Sequence, residues 1–512
     1  MKKLVSLFLS LTMVGAVLCG CGGGSNPGDE GSNGLQNERK ASNEIVVAIA
    51  QDLEDSLDPH AAASAGTREV LFNIYEGLVK TGPNGELIPA VAERYEISED
   101  GLVYTFTLRD GIKFHNGESV TAADVVYSMT RCADNSGDSA LVSAFSAIQD
   151  LQAVDERTVT FRLEQPNLEL IYFLSAAIIP QDSDPQAGFI PGTGPFKLVS
   201  RSPQENIVLE RFDDYWGTLA GVQKVTYQIY EDSTALMMAL KGGSVDLCAH
   251  LTSAQVAQLD DSFQVLEGTM NLVQAVYLNN AAAPLDNEKV RQAMCYAINR
   301  QEIMDVMADG HGTPVGSSIY PKLAKYFLPE LADYYTYDPA KGKELLAEAG
   351  YPDGFDLTIA VSSNYQPHMD TAEVVVQQLG AIGIRATVQP VDAATWYSDV
   401  YTNRQFQATI TGLDAKNITA RAMLERFVSD NGKNFINYSN STYDELYTKA
   451  MACTDDTEQT AIYKQMETLL TETAANLYLQ DMADLVVLHQ GLAGYTFYPI
   501  YAQDLSTIYY AD

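Results

Sequence analysis

The sequence is poor in positive charge, and it has only one long apolar run. Its 512 residues include 32 Lys and Arg against 67 Asp and Glu, which gives a formal net charge of −35. This balance excludes a basic nucleic-acid-binding protein, and a hydrophobic content of 46% excludes a disordered chain. After the N-terminal region, no apolar segment reaches the roughly 20 residues that a membrane-spanning helix needs. A multispanning membrane protein is therefore excluded as well.

Cysteine is scarce and widely spaced. Beyond the N-terminal region the chain has Cys132, Cys248, Cys295 and Cys453, with no C-x-x-C pair among them. This spacing does not match a metal-binding pattern. Isolated cysteines pack as small hydrophobic groups, so we expect four buried thiols, with one long-range disulfide as the alternative.

Motifs for catalysis are also missing. The sequence has no G-x-S-x-G elbow, no H-E-x-x-H and no Walker loop, and its six histidines are scattered singly. A glycosidase needs only two carboxylates, which an acidic chain can supply without a visible motif. A secreted hydrolase therefore remains a remote alternative. We expect no enzymatic activity, no cofactor and no metal site.

The N-terminus reads as an export signal. Two lysines precede the apolar residues 4–18, and Leu18-Cys19-Gly20-Cys21 follows. The apolar run is too short to span a bilayer but fits a signal peptide. The four residues ending at Cys21 resemble the lipobox of bacterial lipoproteins. We therefore expect residues 1–20 to be a lipoprotein signal peptide and Cys21 to be lipidated, with an ordinary signal peptide or a short membrane anchor as alternatives.

Residues 21–43 predict a flexible tether. The stretch 22–43 has six glycines and only two apolar side chains, so it cannot bury enough surface to fold. The flexible-coil rule gives it an end-to-end reach of roughly 25 Å. The folded part should therefore lie close to a membrane surface, outside the cytoplasm.

Beyond the tether, strand and helix patterns alternate. Residues 102–108 alternate apolar and polar, and Asp110-Gly111 predicts a hairpin turn into a strand at 112–115. Thr121, with Asp124 three residues later, indicates the start of a helix. The apolar spacing at 288–299 predicts an amphipathic helix, and Asp338-Pro339 should begin another.

The C-terminal half predicts a parallel sheet. Residues 355–361, 370–382 and 384–391 read as strand, helix and strand with short connections, which form a βαβ unit. Residues 442–453 and 457–476 predict helices, and 485–488 predict a strand. The predicted fold class is α/β.

Several segments, taken in their order along the chain, resemble one protein family. They are SLDPH at 56–60, IYEGLV at 74–79, PAVAE at 89–93, LRDGIKFHNG at 108–117, TAADVV at 121–126, GTGPFKL at 192–198, DYWG at 214–217, VRQA at 290–293 and AINR at 297–300. Their order and spacing resemble the family 5 extracellular solute-binding proteins, the oligopeptide, dipeptide and nickel binders of ABC importers. The resemblance covers nearly all of residues 44–512.

The resemblance implies a two-lobe periplasmic-binding-protein fold of type II, also called a Venus flytrap, with a subdomain inserted in lobe I. By this analogy lobe I comprises residues 44–78, 190–278 and 485–512, and its inserted subdomain comprises 79–189. Lobe II comprises 279–484, and the hinge strands are 277–281 and 479–485. A ligand that touches both lobes would favour the closed form, which a permease would recognise.

The resemblance also implies where the ligand binds. In peptide-binding members an Asp of lobe II takes the ligand's ammonium, and the segment here that resembles theirs is Thr409-Ile410-Thr411-Gly412-Leu413-Asp414, of which Thr411, Gly412 and Leu413 are further candidate binding residues. Asp414 is therefore the leading site residue. This sequence departs from the family just afterwards, so Lys416 is an alternative partner that would neutralise Asp414. Internal pairing of Asp414, or capping of the helix near Ala420, is a further alternative.

Other residues complete the expected site. Dipeptide binders resemble one another in having an Arg after the first strand of lobe II, but residues 362–367 contain none, which favours longer peptides. Asn364, Tyr365 and Trp396 are candidate pocket residues, although each has ordinary surface or core packing as its alternative. From lobe I, His60 and the loop 61–67 would face them.

The expected function is that of a lipid-anchored, monomeric binding protein that captures peptides, in particular oligopeptides. It would deliver them to the permease and ATPase subunits of an ABC importer. An alternative ligand is a nickel chelate held through His60, His250 or His368, or another small solute such as a sugar or an opine.

Overall fold

The computed structural model describes residues 38–53, 57–62, 64–134, 141–181, 183–184, 188–415 and 418–511. Within them the strands are β1 (Glu44–Ile49), β2 (Val79–Thr81), β3 (Leu87–Pro89), β4 (Ala92–Ile97), β5 (Val103–Leu108), β6 (Ile148–Ala153), β7 (Thr158–Leu163), β8 (Phe196–Ser202), β9 (Asn206–Arg211), β10 (Lys224–Ile229), β11 (Leu247–Leu251), β12 (Phe263–Thr269), β13 (Leu272–Leu278), β14 (Thr313–Pro314), β15 (Asp356–Ser362), β16 (Arg385–Val391), β17 (Ala408–Asp414), β18 (Asn476–Asp481), β19 (Ala483–His489), β20 (Leu492–Ala493) and β21 (Tyr509–Tyr510). The α-helices are α1 (Ala65–Leu71), α2 (Ala122–Ala133), α3 (Leu170–Phe173), α4 (Ser233–Lys241), α5 (Ser253–Val256), α6 (Glu288–Tyr296), α7 (Arg300–Ala308), α8 (Pro339–Glu348), α9 (Gln366–Gly380), α10 (Ala393–Thr395), α11 (Ala420–Leu424), α12 (Ser441–Met451) and α13 (Asp456–Glu472). Shorter 3₁₀ or π turns occur at Ser143–Ala147, Pro329–Asp333, Trp396–Thr402, Glu425–Phe427 and Leu505–Thr507.

A seven-stranded sheet forms lobe I, in the order β12-β19-β11-β1-β10-β9-β8. Its central strand β1 runs parallel to β10 and β11, and Val47 and Ala48 are buried on its two faces. Burial on both faces is typical of parallel strands covered on each side. The predicted strand at 485–488 is confirmed as part of β19, so the C-terminal part of the chain returns to this sheet.

A six-stranded sheet forms lobe II, in the order β14-β18-β13-β17-β15-β16. β15 and β16 are parallel, and α9 connects them, which confirms the predicted strand–helix–strand unit. One face of the sheet packs Ile359 and Ile410 into a hydrophobic core, and the opposite face packs Tyr277 and Leu413 into a second core. β17 therefore lies between two cores, which holds its C-terminal end in a defined position.

A separate four-stranded antiparallel sheet, β4-β5-β7-β6, packs with α2 around its own core. α2 begins at Thr121 with the predicted capping box, in which the Asp124 carboxylate accepts from the Thr121 backbone N–H at 2.8 Å. The predicted hairpin partner of β5 at 112–115 is wrong. β5 is already paired with β4 on one edge and β7 on the other, and a strand has only two edges. Ile112 and Phe114 instead fill the core of this subdomain.

The family motif at 192–198 contains glycines because its backbone packs closely against the motif at 74–79. At Gly192 an added Cβ would lie 2.0 Å from the Ile74 carbonyl oxygen. Gly194 donates its backbone N–H to the same oxygen at 2.9 Å. The segments 74–79 and 192–198 therefore meet in lobe I, and only glycine allows their backbones to approach this closely.

The chain passes between the two sheets at Met270–Asn271 and again at Met482. The first passage differs from the predicted hinge at 277–281, because β13 belongs to the six-stranded sheet of lobe II rather than to lobe I. β13 is buried along nearly its whole length, and such a strand fits the interior of either sheet. The second passage, between β18 and β19, lies inside the expected segment 479–485.

The four cysteines predicted to be buried thiols are all free and buried, at Cys132, Cys248, Cys295 and Cys453. Among the residues that the structure describes, no group of three or more His, Cys, Asp or Glu side chains could hold a metal ion. In the same residues, no helix is long and apolar enough to cross a membrane.

Candidate functional site

Asp414 ends β17 at the edge of lobe II that faces lobe I. On one side of β17, pairing with β13 continues to the end, where Asp414 lies opposite Leu272. On the other side, pairing with β15 stops at Ile410. Among the described residues, the backbone of Thr411 to Asp414 therefore has no strand partner on its second edge. An open edge of this kind can accept an extended peptide as an added strand.

Asp414 forms an ion pair with Arg68 of lobe I. The Arg68 Nη2 and Asp414 Oδ2 atoms are 3.1 Å apart, and the two side chains are 22% and 35% exposed. Arg426 Nη2 also donates to the backbone carbonyl of Asp414 at 2.9 Å, which fixes the end of β17. Asp414 is therefore held across the cleft between the lobes. Lys416, the alternative partner named from the sequence, lies outside the described residues.

Local structure fixes the position of the Arg68 backbone. It lies on α1, whose N-terminus is capped by Ser64, since the Ser64 hydroxyl accepts from the Thr67 backbone N–H at 3.2 Å. The neighbouring Thr67 and Glu69 are buried, so this side of the helix cannot rotate freely. Arg68 was not among the predicted site residues, because the expected cation lay in lobe II and the expected facing loop ended at Thr67.

A cavity of about 190 Å³ lies beside this ion pair. Arg68, Phe72 and Tyr75 line it from lobe I, together with Tyr501, and Ala415 lines it from lobe II. The cavity thus offers aromatic walls next to a pair of opposite charges. It is smaller than the 300 Å³ or so at which small-molecule pockets usually begin, so a ligand requires the lobes to separate or Arg68 to move.

Contacts elsewhere hold the lobes together. Tyr463 of lobe II donates to the Glu169 carboxylate of the inserted subdomain at 2.7 Å, and both side chains are buried. Tyr320 of lobe II donates to the Pro499 carbonyl at 3.2 Å. The structure is therefore a closed arrangement in which the cleft narrows around Arg68 and Asp414.

The residues before Asp414 shape the strand more than they offer side chains. Leu413 is buried in the core of lobe II, and Thr411 lies opposite Ala275 in the strand register. At Gly412 an added Cβ would lie 2.9 Å from the Leu272 side chain, so a larger residue there would require the end of that side chain to shift. Consecutive residues of a strand direct their backbone groups to opposite edges, so every second residue between Thr411 and Asp414 presents its N–H and C=O on the open edge.

Tyr365 and Asn364 lie at the start of α9, at the carboxyl end of β15. The Tyr365 hydroxyl contacts Met270 Sδ at 3.7 Å, so this side chain of lobe II reaches the passage between the lobes. Asn364 is exposed, and its side-chain oxygen accepts from the Ser362 hydroxyl at 2.6 Å. Both residues lie at the C-terminal edge of the same sheet that carries Asp414, where ligands of open α/β sheets bind.

Trp396 lies at the same edge but packs into lobe II. Its indole N–H donates to the Thr409 hydroxyl at 2.9 Å, and its ring stacks on Tyr401. Thr409 and Thr411 point to the same face of the sheet, since side chains alternate along a strand. Trp396 therefore supports the strand that ends at Asp414.

His60 is occupied elsewhere. Its Nε2 lies 2.7 Å from the Ala177 carbonyl oxygen, and its Nδ1 contacts the Arg131 guanidinium, which also pairs with Asp58. Burial lowers the pKa of His60. Both ring nitrogens are thus engaged within the protein, and His60 joins the subdomain to lobe I instead of facing a ligand.

His250 and His368, the other histidines named for a chelate, are engaged as well. His250 lies between two carboxylates, with Nε2 3.1 Å from Glu69 and Nδ1 2.9 Å from Asp484. His368 accepts from the Gln274 side-chain amide at 2.9 Å, and burial lowers its pKa to about 3. His250 has both ring nitrogens in ion pairs, so the structure does not offer it to a metal chelate.

Two α/β lobes, two short connections and opposite charges facing across a cleft define a solute-binding protein of the periplasmic-binding-protein type. Comparison with known proteins supports this assignment. The family described as "Bacterial extracellular solute-binding proteins, family 5 Middle" matches residues 86–435. The chain belongs to this family, which confirms the resemblance drawn from its motifs.

Related proteins match most of the chain in sequence or in structure. The glutathione-binding protein GsiB of Salmonella typhi is 30% identical over 450 residues, which cover 84% of this chain and 87% of the relative. The ABC transporter substrate-binding protein CtaP of Listeria monocytogenes has a TM-score of 0.83 at 25% identity, covering 92% of this chain and 99% of that structure. The periplasmic binding protein DppA of Helicobacter pylori, in complex with peptide STSA, has a TM-score of 0.79 at 24% identity, covering 93% and 100%.

These findings establish the general function of the chain. The chain is a solute-binding protein of an ABC importer, a class that works with a permease and an ATPase and is not enzymatic. Family 5 solute-binding proteins are extracytoplasmic. The fold is the type II two-lobe fold expected from the sequence.

Proposed function

We propose that this protein captures peptides, in particular oligopeptides, between its two lobes and delivers them to the permease as a lipid-anchored monomer. The observation that carries this proposal is the position of Asp414. It ends a strand with one open edge, faces lobe I across the cleft and remains about one-third exposed. The relative GsiB is named for binding glutathione, which is itself a small peptide.

Asp414 would accept the peptide's ammonium group. A carboxylate and an ammonium form a charge-assisted hydrogen bond, which is stronger than a bond between neutral groups. The open edge at Thr411 and Gly412 would then pair with the backbone of the first residues, whatever their side chains. Such a ligand contacts both lobes, so its binding energy favours the closed arrangement.

Calorimetry with an Asp414→Ala variant tests this role. In the closed arrangement the ligand would cover Asp414, and truncating one partner of a charge pair buried in this way costs about 2 to 5 kcal/mol, so peptide affinity should fall by about 2 kcal/mol or more. Asp356→Ala is the matched control, because Asp356 also belongs to lobe II but is 83% exposed and pairs with Arg385 on the surface. An unchanged affinity in Asp414→Ala would remove Asp414 from the site.

The ligand class itself is tested by native mass spectrometry of residues 44–512 purified gently from rich medium. A ladder of bound peptide masses is expected. One discrete metal-containing or sugar-containing adduct would show that the ligand class is wrong, although the family is not. The engaged ring nitrogens of His60 and His250 make a chelate held by either histidine the weaker alternative.

The lipid anchor rests on the segment ending at Cys21, which lies outside the described residues. We expect a Cys21→Ser variant to lose acylation and to be released from membranes. Mass spectrometry of the intact protein measures the added lipid, and cell fractionation measures the release. Acylation that persists in Cys21→Ser would refute the anchor, whereas the peptide-binding proposal would be unaffected.

A further inference from the structure

Glu169 of the inserted subdomain and Tyr463 of lobe II meet where the two sides of the cleft close on each other, and neither residue lines the cavity beside Asp414. We infer that this contact couples lobe closure to the uptake of a proton, so that acidic conditions favour the closed arrangement. The Glu169 carboxyl is the group that takes the proton. The inference goes beyond the proposed function, because it concerns closure itself and holds for any ligand.

The residues around Glu169 are fixed to lobe I. α3 follows Glu169 directly, and Leu174 comes at its end. An added Cβ at Gly77 would lie 2.4 Å from the Leu174 carbonyl oxygen, so these two backbones are in close contact. The Ile178 backbone N–H also donates to the Glu76 carbonyl at 2.8 Å. Glu169 therefore moves with lobe I when the lobes separate.

Tyr463 is fixed in lobe II. It lies on α13, is fully buried in the core of that lobe, and packs edge to face on Tyr326 with ring centroids 5.7 Å apart. Its hydroxyl donates to Glu169 Oε2 at 2.7 Å. This hydrogen bond joins two parts of the protein that separate when the cleft opens, so opening must break it.

Closure removes the Glu169 carboxyl from water. The residue is 2% exposed, and among the described residues its Oε1 has no hydrogen-bond partner. A buried carboxylate with an unpaired oxygen is costly, and a neutral carboxyl is less so. Burial raises the pKa of Glu169 above its ordinary value and outweighs the Tyr463 hydrogen bond and the charge of Arg421, which lower it. Since Tyr463 and Arg421 belong to lobe II, opening returns the carboxyl to water.

The other ionisable groups that face Glu169 keep their charge over the neutral range. Burial raises the pKa of four neighbouring tyrosines, which therefore stay protonated: Tyr172, Tyr326, Tyr447 and Tyr463. Burial alone would lower the pKa of Arg421, but its neighbours raise it overall, so Arg421 stays charged. The nearby carboxylates have cationic partners, Glu425 in Arg421 and Lys433, and Asp456 in Lys325. Among the described residues, Glu169 has no cation at ion-pair distance.

The coupling has a definite sign. The closed arrangement holds the Glu169 proton more tightly than the open one, in which the carboxyl meets water at its ordinary pKa of 4.5. Closure is therefore favoured most at acidic pH and weakens as the pH rises through the higher pKa of the closed form. One coupled proton changes the ratio of closed to open protein by at most about tenfold per pH unit. A ligand that requires the closed form would bind more weakly as that form becomes rarer.

Small-angle X-ray scattering measures closure without a known ligand. The test uses residues 22–512, which include every described residue, dialysed free of bound solute and measured between pH 5.5 and pH 8.5. We expect the radius of gyration of the wild type to increase with pH as the open form becomes more populated. Glu169→Gln cannot ionise and can still accept the Tyr463 hydrogen bond, so it should keep the small radius at every pH.

Glu164→Gln is the matched control. Glu164 belongs to the same subdomain, is exposed, and accepts from the Gln149 side-chain amide at 2.6 Å. The substitution removes the same charge without touching lobe II. Its scattering should therefore follow that of the wild type.

Tyr463→Phe removes the hydrogen bond and keeps the ring. The closed form then buries Glu169 without its donor, so this variant should be more open than the wild type, most of all at pH 8.5. Circular dichroism and thermal melting check that each variant is folded. Wild type and Glu169→Gln that scatter alike at every pH would overturn the inference. A Glu169→Gln variant more open than the wild type would also overturn it, because the charged carboxylate would then be what holds the lobes.

Discussion

The buried charge cluster around His250 allows a quantitative prediction about stability. Its imidazole lies 3.1 Å from the Glu69 carboxylate and 2.9 Å from the Asp484 carboxylate, and it stacks on Tyr501 with a centroid distance of 4.8 Å. Burial alone would lower the pKa of His250, but the charges of Asp484 and Glu69 outweigh it and raise the pKa well above its ordinary value. His250 is therefore a cation at neutral pH, shared by two carboxylates.

A His250→Gln variant removes this cation and leaves both carboxylates in place. The Glu69 and Asp484 side chains are only 9% and 8% exposed, so water cannot replace the lost partner. Removing one partner of a buried ion pair costs about 3 to 5 kcal/mol. We expect the free energy of unfolding of lobe I, measured by urea denaturation at pH 7, to fall by about this amount.

His311 supplies the matched control. Its Nδ1 lies 2.9 Å from the Glu267 carboxylate, but these side chains are 41% and 48% exposed. Exposed pairs contribute about 0 to 1 kcal/mol. A His311→Gln variant should therefore lose at most about 1 kcal/mol, although the same chemical groups are involved.

The pH dependence has a definite sign. Since the folded pKa of His250 lies above the unfolded value of about 6.5, its stabilisation is complete below pH 6.5 and is lost as the pH rises through the folded pKa. Burial also raises the pKa of Tyr365, Tyr495, Tyr501 and Cys248, which face the cluster, so these groups stay protonated over this range. The difference between wild type and His250→Gln should shrink at alkaline pH.

Denaturation curves at intervals between pH 6 and pH 10 measure this change. Two results would refute the reasoning. A His250→Gln variant no less stable than His311→Gln would show that the buried carboxylates do not need the cation. A difference that stays constant over the whole pH range would show that His250 is not protonated in the folded protein.

Two further predictions concern a buried carboxyl group, that of Glu467, and the close packing at Gly192. Burial raises the pKa of Glu467 to about 8, so the folded protein binds its proton more tightly than the unfolded chain and loses stability as the pH rises toward 8. Glu467→Gln should remove this loss and be more stable than the wild type at pH 9 by at least about 1 kcal/mol, measured by melting against pH. Gly192→Ala places a Cβ 2.0 Å from the Ile74 carbonyl oxygen and should destabilise lobe I by at least about 1 to 3 kcal/mol in urea. Gly380→Ala, where no atom lies within 4 Å of the new Cβ, should be neutral, and equal effects of the two glycine variants would contradict the packing argument.

Local signals in the sequence predicted several elements correctly. Thr121 and Asp124 begin α2 with a capping box, and Asp338-Pro339 begins α8, because each cap satisfies backbone groups of its own first turn. The strand–helix–strand unit from β15 to β16 was visible because its connections are short and its apolar periods are distinct.

Elements that depend on distant neighbours were predicted less well. The segment 112–115 looked like a hairpin strand, but both edges of β5 were already taken by β4 and β7. The family resemblance placed β13 in lobe I, although it lies in the sheet of lobe II. In both cases the local pattern was compatible with two arrangements of the segment, and pairing with distant strands determined which one forms.

The residues of the candidate site also fall into two groups, those that the sequence could name and those that only tertiary contacts reveal. Asp414 came from a motif whose residues are adjacent in the chain, so the sequence alone was enough to name it. Arg68 lies 346 positions away, and its role follows from a contact between two lobes. His60 and His250 carried no local sign that their ring nitrogens were engaged by groups on other segments.

The sequence by itself therefore determined the family, the α/β fold class and several of the helices and strands, and it named the carboxylate that lies at the end of β17. These properties depend on residue type, short-range hydrogen bonding and apolar periodicity, which a reader of the chain can see directly. Only the tertiary structure decided which strand joins which lobe, which histidines are engaged and which cation faces Asp414. Each of these depends on the three-dimensional approach of residues far apart in the chain, where sheet edges, burial and charge compete for the same partners.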